Sequence, residues 1–291
     1  MASFRPAQRV LAFGARKPDS GALVAYGWAM ARGSGEGCCI DATPRGGRED
    51  AFDGVLASLA DRDAADAFEA DRLREAALRD RLAELAERHD LDAYLVGGPV
   101  RDELAGRPFK DPDVCVCGLS YAELKARLDE EGKISPLEIT RVVGLDKDGK
   151  KVVEPILVGM RLYADWGPRD GIEFALARTE VSDGEGHKDF RVEPDPTVDI
   201  VTDLARRDFT VNAMARSLRT GALIDPYGGR ADLEAGVLRT VSPTSFQEDP
   251  LRIMRALPRM AKDGLVPTPE TVAQMREHTP LLRHVSPERV R

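Results

Sequence analysis

Long apolar runs are missing from this 291-residue chain. No stretch approaches the roughly 18 consecutive apolar residues of a membrane-spanning helix. The start, "MASFRPAQRVLAFG", has no extended apolar segment followed by a cleavage site, so a soluble, cytoplasmic protein is expected. Cysteine is scarce as well. Cys38 and Cys39 are adjacent and Cys115 and Cys117 alternate, spacings that suit neither a stapled fold nor a C-x-x-C zinc site. Reduced, mostly buried thiols are the expectation. The four histidines form no ligand pattern, which leaves no case for a histidine-based metal centre. A net charge of −8 excludes a surface that is a nucleic-acid footprint throughout, yet it allows a local basic cleft. Most of the basic residues are arginine, a choice that suits bidentate phosphate contacts and also follows from base composition.

Three textures follow one another along the chain. Residues 1–63 carry short apolar runs, "RVLAFGA", "ALVAYGWAMA" and "GCCIDA", between Gly, Pro and Ser clusters, and then a helical "REDAFDGVLASLAD". They read as a small α/β extension with a meander of strands. Residues 64–90 are rich in Ala, Leu, Arg and Glu, with Leu78, Leu82 and Leu85 spaced for one helical face, and are expected to form a connecting helix. From Leu91 onward strand, turn and helix patterns alternate, and every chemical motif lies there.

The first of these motifs is "LVGGPVRDELAGRPFKDPDV", residues 95–114. "DAYLVGG" reads as a strand ending in Gly97 and Gly98, and "PVRDELAG" as a helix with Pro99 near its start and Asp102 and Glu103 in its first turn. Two glycines before a helix N-terminus let an anion approach backbone N–H groups, although such a turn also serves as a plain connection. In "KDPDV", Asp111 and Asp113 stand two apart in a β-like run. Period two puts both carboxylates on one strand face, where they could share Mg2+; a solvated Asp-Pro-Asp turn is the alternative. Like charges so close are costly without a cation between them.

"YLVGGPVRDELAGRPFKDPDV" resembles the signature at the head of the class II tRNA nucleotidyltransferase and poly(A) polymerase superfamily. Later segments resemble its successive motifs in the same order: "IEFALARTE" (172–180), "GHKDFRVEPDPTVDIVTDLARRDFTVNAMA" (186–215), "LIDPYGGRADLEAGVLRTV" (223–241) and "SFQEDPLRIMRA" (245–256). The "ALART" wording is similar to the bacterial CCA-adding enzymes. The resemblance spans residues 91–291. It implies an α+β fold: a polymerase beta-like mixed sheet with flanking helices as a head domain over 91–240, and the beginning of a helical neck over 241–291.

The same resemblance implies an Mg2+-dependent transfer of CMP and AMP from CTP and ATP to a tRNA 3′ end, with RNA as partner and no template. Asp111 and Asp113 become the metal ligands, and Glu173 a third catalytic carboxylate. Arg207 becomes the nucleotide-binding arginine. Gly97, Gly98, Arg101, Asp208 and Asn212 join it at the nucleotide, with Arg206 beside them. Asp249 and Arg252 are assigned to base selection and Arg255 to the nucleotide's vicinity, since Arg and Asp together can match the pairing edge of a base. Read without the resemblance, Arg206-Arg207-Asp208 is a surface ion-pair cluster, and Glu248-Asp249-Pro250 a helix start followed by two solvated arginines.

Other classes stay open at this stage: an A-adding or poly(A)-polymerase-like enzyme, and a non-catalytic nucleotide- or RNA-binding module. His187, in "GEGHKDF", is expected on a mobile loop near the site. The stretch between Gly118 and Gly171 is longer than the bacterial enzymes lead one to expect, and an extra hairpin turning at "DKDGKK" is the simplest reading. "VSPERVR" starts a helix, with Ser286 as N-cap and Pro287 at its first position, where the resembling enzymes continue into tRNA-gripping regions. A fragment of a longer protein and a compact enzyme holding RNA by other means are both compatible with that ending.

Overall fold

The computed structural model describes residues 12–16, 23–27, 48–109, 111–145, 147, 151–182 and 190–285. The chain divides into two compact units, Met1–Ala57 and Ser58–Arg291. In the first, β1 (Ala12–Arg16) pairs antiparallel with β2 (Leu23–Gly27), Gly14 opposite Ala25. "GCCIDA" and its two cysteines lie outside the described residues.

Helix α1 is one element, Arg48–Arg88, where the sequence suggested two helical stretches over 48–61 and 64–90. No Gly or Pro falls between Gly54 and Gly97, so nothing stops a helix once it is under way. It ends at Asp90, whose φ of 49° is left-handed, and the Leu91 N–H reaches back to Ala86 O at 2.8 Å. Arg127 donates to the carbonyls of His89 and Asp90 and fastens that end.

The second unit continues with β3 (Asp92–Val96), α2 (Gly98–Leu104), β4 (Asp113–Cys117), α3 (Tyr121–Leu128), β5 (Lys133–Leu145), β6 (Lys151–Tyr163) and β7 (Ile172–Leu176). Then come β8 (Arg178–Ser182), β9 (Phe190–Pro194), α4 (Ile200–Ala205), a 3-10 turn at Thr210–Asn212, β10 (Ala215–Ser217), β11 (Leu223–Ile224), α5 (Gly229–Glu234) and β12 (Val237–Leu238). It closes with α6 (Ser245–Glu248), α7 (Leu251–Asp263), β13 (Val266–Pro267) and α8 (Pro269–His278). A seven-stranded sheet runs β11-β10-β3-β4-β7-β6-β5, antiparallel throughout except for the parallel β4–β7 pair. It is therefore a mixed sheet with flanking helices, as the resemblance implied.

Alternation along the strands sends side chains to two cores. Ala93, Leu95, Val114, Val116, Met160, Leu162 and Phe174 pack with Leu82 and Leu85 of α1 and Leu124 and Leu128 of α3, and Leu78 lies partly buried against them. On the opposite face Val96, Cys115, Cys117 and Ala215 meet Ile200 and Leu204 of α4. Cys115 and Cys117 are free, buried thiols, as expected from their spacing. A third cluster joins Phe209 and Val211 to Phe246, Ile253 and Ala256, with the two phenyl rings edge to face at 6.2 Å.

Strands β5 and β6 form the long hairpin suggested by "DKDGKK", paired from Lys133–Tyr163 out to Leu145–Lys151 with bulges near Leu137 and Val142. Strand β6 meets β7 only over Gly159–Leu162, so the outer part of the hairpin is a two-stranded arm. Helix α2 begins at Gly98, which leaves no acidic residue in its first turn, contrary to the reading of Asp102 and Glu103 there. The two carboxylates serve neighbouring arginines instead: Asp102 accepts from Arg101 and Arg107, and Glu103 pairs with Arg79 and Arg216. Among the described residues no helix is long and apolar enough to cross a membrane.

Candidate active site

The register of three strands sets out one row of charged groups. Asp113 opens β4, and its parallel partner on β7 is Glu173; the antiparallel partner of Glu173 on β6 is Arg161. Directly registered residues share a sheet face, so Asp113, Glu173 and Arg161 stand side by side. Helix α4 covers Cys115 and Cys117 further along the same face and leaves the Asp113 end uncovered. Crowding by surrounding protein atoms raises the Asp113 pKa. Repulsion from Glu173 and Asp111 adds to that rise, while Arg207 and Arg255 oppose it. Those four groups lie near Asp113, whose own side chain is still reached by solvent.

The paired glycines have a different immediate task from the one read in the sequence. Gly97 has a φ of 71°, and a Cβ there would stand 3.0 Å from Arg207 Nη1. Its N–H donates to Met214 O at 3.2 Å rather than facing an anion. A Cβ on Gly98 would sit 3.7 Å from Arg101 Nη2. At Gly97 the bare backbone lets the Arg207 guanidinium lie against the turn, while at Gly98 the same space would admit a methyl at ordinary contact distance.

Behind the turn those arginines belong to a buried relay. Arg101 Nη1 donates to Asn212 Oδ1 at 2.6 Å, Asn212 Nδ2 donates to Asp208 Oδ1 at 3.0 Å, and Asp208 Oδ2 meets Arg255 Nε at 2.8 Å. Asp208 also accepts the Phe209 N–H, which fixes the turn. Arg207 is held by Asp203 Oδ2 at 3.1 Å, and Arg206 by Asp203 Oδ1 at 2.7 Å. Asp203 escaped the sequence reading. Its signal was the D-x-x-R-R spacing, which on a helix brings i+3 and i+4 back over the carboxylate. Burial alone would raise its pKa; the charges and hydrogen bonds of Arg206 and Arg207 overcome this and hold it low. Arg207 Nε is buried without a hydrogen-bond partner, so this guanidinium has a donor still to use.

At the start of α7 the two arginines diverge. The helix begins at Leu251 with Pro250 as its N-cap, one position later than the sequence suggested, and Asp249 Oδ1 accepts the Leu251 N–H at 3.0 Å. Arg252 is 5% exposed and donates to Ser245 O, Ser245 Oγ, Glu248 and the Arg206 carbonyl. Arg255, three residues on, keeps 65% of its side chain exposed while touching Asp208. Both reach the 206–208 segment, so the helix start is tied to the arginine relay. The structure brings together Asp111, Asp113, Glu173, Arg207 and Arg255, with Gly97, Gly98, Arg101, Asp208 and Asn212 behind them and Arg252 and Asp249 at the edge. His187 and the 286–291 helix start lie outside the described residues.

The donors near Asp113 suit Mg2+ only in part. Glu173 is committed to an ion pair with Arg161, and among the described residues no three acidic, His or Cys groups assemble as a closed metal cage. Asp111 and Asp113 remain, two hard oxygen donors whose repulsion a cation would relieve. Mg2+ is ordinarily held by one or two carboxylates, with water and phosphate oxygens completing its shell. The residues present fit that requirement.

Comparison with known proteins places the chain by family. Residues 93–239 match the Poly A polymerase head domain, about half of the chain, and the chain belongs to that family. It is 43% identical over 190 residues to the multifunctional CCA protein of Xylella fastidiosa strain M23, covering 64% of this chain and 39% of that protein. The counterpart in Xanthomonas oryzae pv. oryzae is 43% identical over 187 residues. Among solved structures it is similar to the Bacillus stearothermophilus CCA-adding enzyme in complex with CTP, at 29% identity and a TM-score of 0.53, covering 74% of this chain and 46% of that one. A Thermotoga maritima CCA-adding enzyme complexed with tRNA gives 27% identity and a TM-score of 0.53, covering 73% and 44%. The chain spans about two fifths of the length of the curated relatives it matches.

Proposed function

We propose that the chain carries an Mg2+-dependent, template-independent RNA nucleotidyltransferase that adds CMP and AMP to tRNA 3′ ends in the cytoplasm. The observation that carries the reading is the grouping of Asp111, Glu173, Arg207 and Arg255 around Asp113, in a chain similar to CCA-adding enzymes. Asp111 and Asp113 would hold the metal, which when bound polarises the attacking hydroxyl and neutralises phosphate charge. Arg207, pre-set by Asp203 and the bare Gly97, turns its spare donor to the triphosphate. Arg255 adds exposed positive charge beside the same site, and Asp208 limits its swing. Asp249 and Arg252 choose the base, with Arg252 exchanging its contact to the half-exposed Glu248 for the base edge. Arg101 and Asn212 support this group through hydrogen bonds and meet no substrate directly. Because these charges are fixed before substrate arrives, little reorganisation is needed as charge shifts along the phosphates.

The test incubates the 291-residue chain with Mg2+, labelled CTP or ATP and tRNA ending before, within or after CCA. Ordered C then A incorporation is expected, falling by roughly a thousandfold in the Asp111→Ala/Asp113→Ala double variant. Incorporation of A alone would replace this reading with an A-adding enzyme. Nucleotide binding without incorporation would leave a binding module.

A further inference from the structure

The carboxylate row has two unequal ends. On the β3 and β10 side of Asp113 lie Gly97, Asp208, Asn212 and Arg207, the last proposed above to meet the triphosphate. On the opposite side the sheet continues through β7 and β6 to β5, and on the same face it presents Glu173, then Arg161 with Ser135 opposite, then Tyr163 with Lys133 opposite. Arg161 stands two strands from Asp113, about 10 Å at ordinary strand spacing. None of these four residues beyond Glu173 belongs to the motifs read in the sequence.

Their chemistry is specific. Arg161 contacts Glu173 through Nη2 and lies beside the Tyr163 hydroxyl, while its Nε is buried without a hydrogen-bond partner. Tyr163 keeps 36% of its surface exposed, and Lys133 is exposed. A guanidinium, an ammonium and a reachable aromatic ring in sequence suit a single strand of nucleic acid: cations for phosphates and a ring for a base. In-line displacement separates the attacking oxygen from the leaving oxygen on opposite sides of the phosphorus. If the triphosphate lies on the Arg207 side, the attacking hydroxyl must arrive from the Glu173 side.

We infer that Arg161, Tyr163 and Lys133, at the root of the β5–β6 hairpin, form the subsite for the last nucleotides of the RNA acceptor strand. Arg161 and Lys133 contact backbone phosphates and Tyr163 stacks on a base. The inference rests on the proposed nucleotidyl transfer for its direction, and on the surface chemistry alone for its RNA binding. It also gives the added hairpin a purpose, since the hairpin's root supplies all three side chains.

The test measures binding of fluorescent single-stranded RNA ending in CC to the full chain by anisotropy, across a salt series, alongside KM values for RNA and for CTP. Tyr163→Ala is expected to weaken RNA binding about tenfold, with Tyr163→Phe close to the parent. Arg161→Ala is expected to do likewise and to lower the slope of log affinity against log salt by about 0.7, with Arg161→Lys restoring most of that slope. The KM for CTP should stay unchanged in all four. Glu173→Gln, used in the binding assay only, separates loss of the ion pair from loss of the cation, because it removes the pair and keeps Arg161; it is expected to bind RNA at least as well as the parent. A raised KM for CTP with unchanged RNA binding would overturn the inference and assign Arg161 to the incoming nucleotide. RNA binding and salt slope unchanged in folded Arg161→Ala and Tyr163→Ala would overturn it outright. Weakened RNA binding in variants of a chain that incorporates no nucleotide would uphold the subsite and fell the proposed reaction instead.

Discussion

The two sides of Asp113 are built on opposite plans. On the Arg207 side the carboxylates are inside, and of their partners Arg255 alone stands largely in solvent: Asp203 is fully buried between two arginines, Asp208 is 4% exposed, and Arg101 and Asn212 join it by hydrogen bonds. On the Glu173 side the Glu173–Arg161 pair is 41% and 34% exposed. A group that must hold one small, densely charged ligand in a fixed pose gains from pre-set, buried partners, and breaking such a set costs stability as well as function. A surface that receives a long, repetitive polymer gains little from rigidity and can leave its charges in water.

That contrast can be broken most severely at Asp203. Replacing it with Ala removes the fully buried carboxylate that holds both Arg206 and Arg207, and a loss of about 3–5 kcal/mol of unfolding free energy is expected in a denaturant titration. Its pKa is lowered by folding, so its contribution is present above the ordinary aspartate value of about 3.9 and disappears as pH falls through the lower folded value. Asp203→Asn should therefore show a shallower acid-induced loss of stability than the parent below about pH 4. An unchanged acid slope would mean the buried set is not what the protein leans on.

A middle-sized effect is expected at Gly97→Ala. The left-handed φ of 71° costs a side chain about 1–2 kcal/mol, and the new methyl presses on Arg207 Nη1. Thermal unfolding should report the first loss, and a raised KM for CTP the second. The smallest effects sharpen the comparison from the open side. Arg161→Ala should change unfolding free energy by at most about 1 kcal/mol, because exposed ion pairs contribute little. A loss near that of Asp203→Ala would erase the distinction between the two sides.

Much of this was legible in the sequence where local spacing carried it. Helical spacing put Leu82 and Leu85 in a core, whereas the strand face read for Asp111 and Asp113 holds for Asp113 alone, because β4 begins there and Asp111 lies in a bend before it. The DKDGKK turn foretold the hairpin. Partnerships between distant segments were beyond such reading. Nothing near Glu173 announces that Arg161 will stand across from it, since that depends on β6 pairing with β7 in one register. Gly97 looked like an anion cradle because a bare turn is the visible feature, while the guanidinium that fills the space comes from residue 207. Asp102 and Glu103 were misplaced by a helix start one residue earlier than Pro99 suggests, a shift within ordinary boundary uncertainty.

Strand β4 carries two programmes interleaved in one string. Odd positions 113, 115 and 117 supply a carboxylate and two thiols, while Val114 and Val116 fill the opposite core. If β4 slipped by a single residue against β3 or β7, charge would enter the hydrophobic interior and valines would line the catalytic floor. Such a misaligned sheet would be both unstable and inert. The alternation thus makes correct assembly and competence for chemistry inseparable, so a folded population should contain no well-formed but silent molecules arising from β4 misalignment.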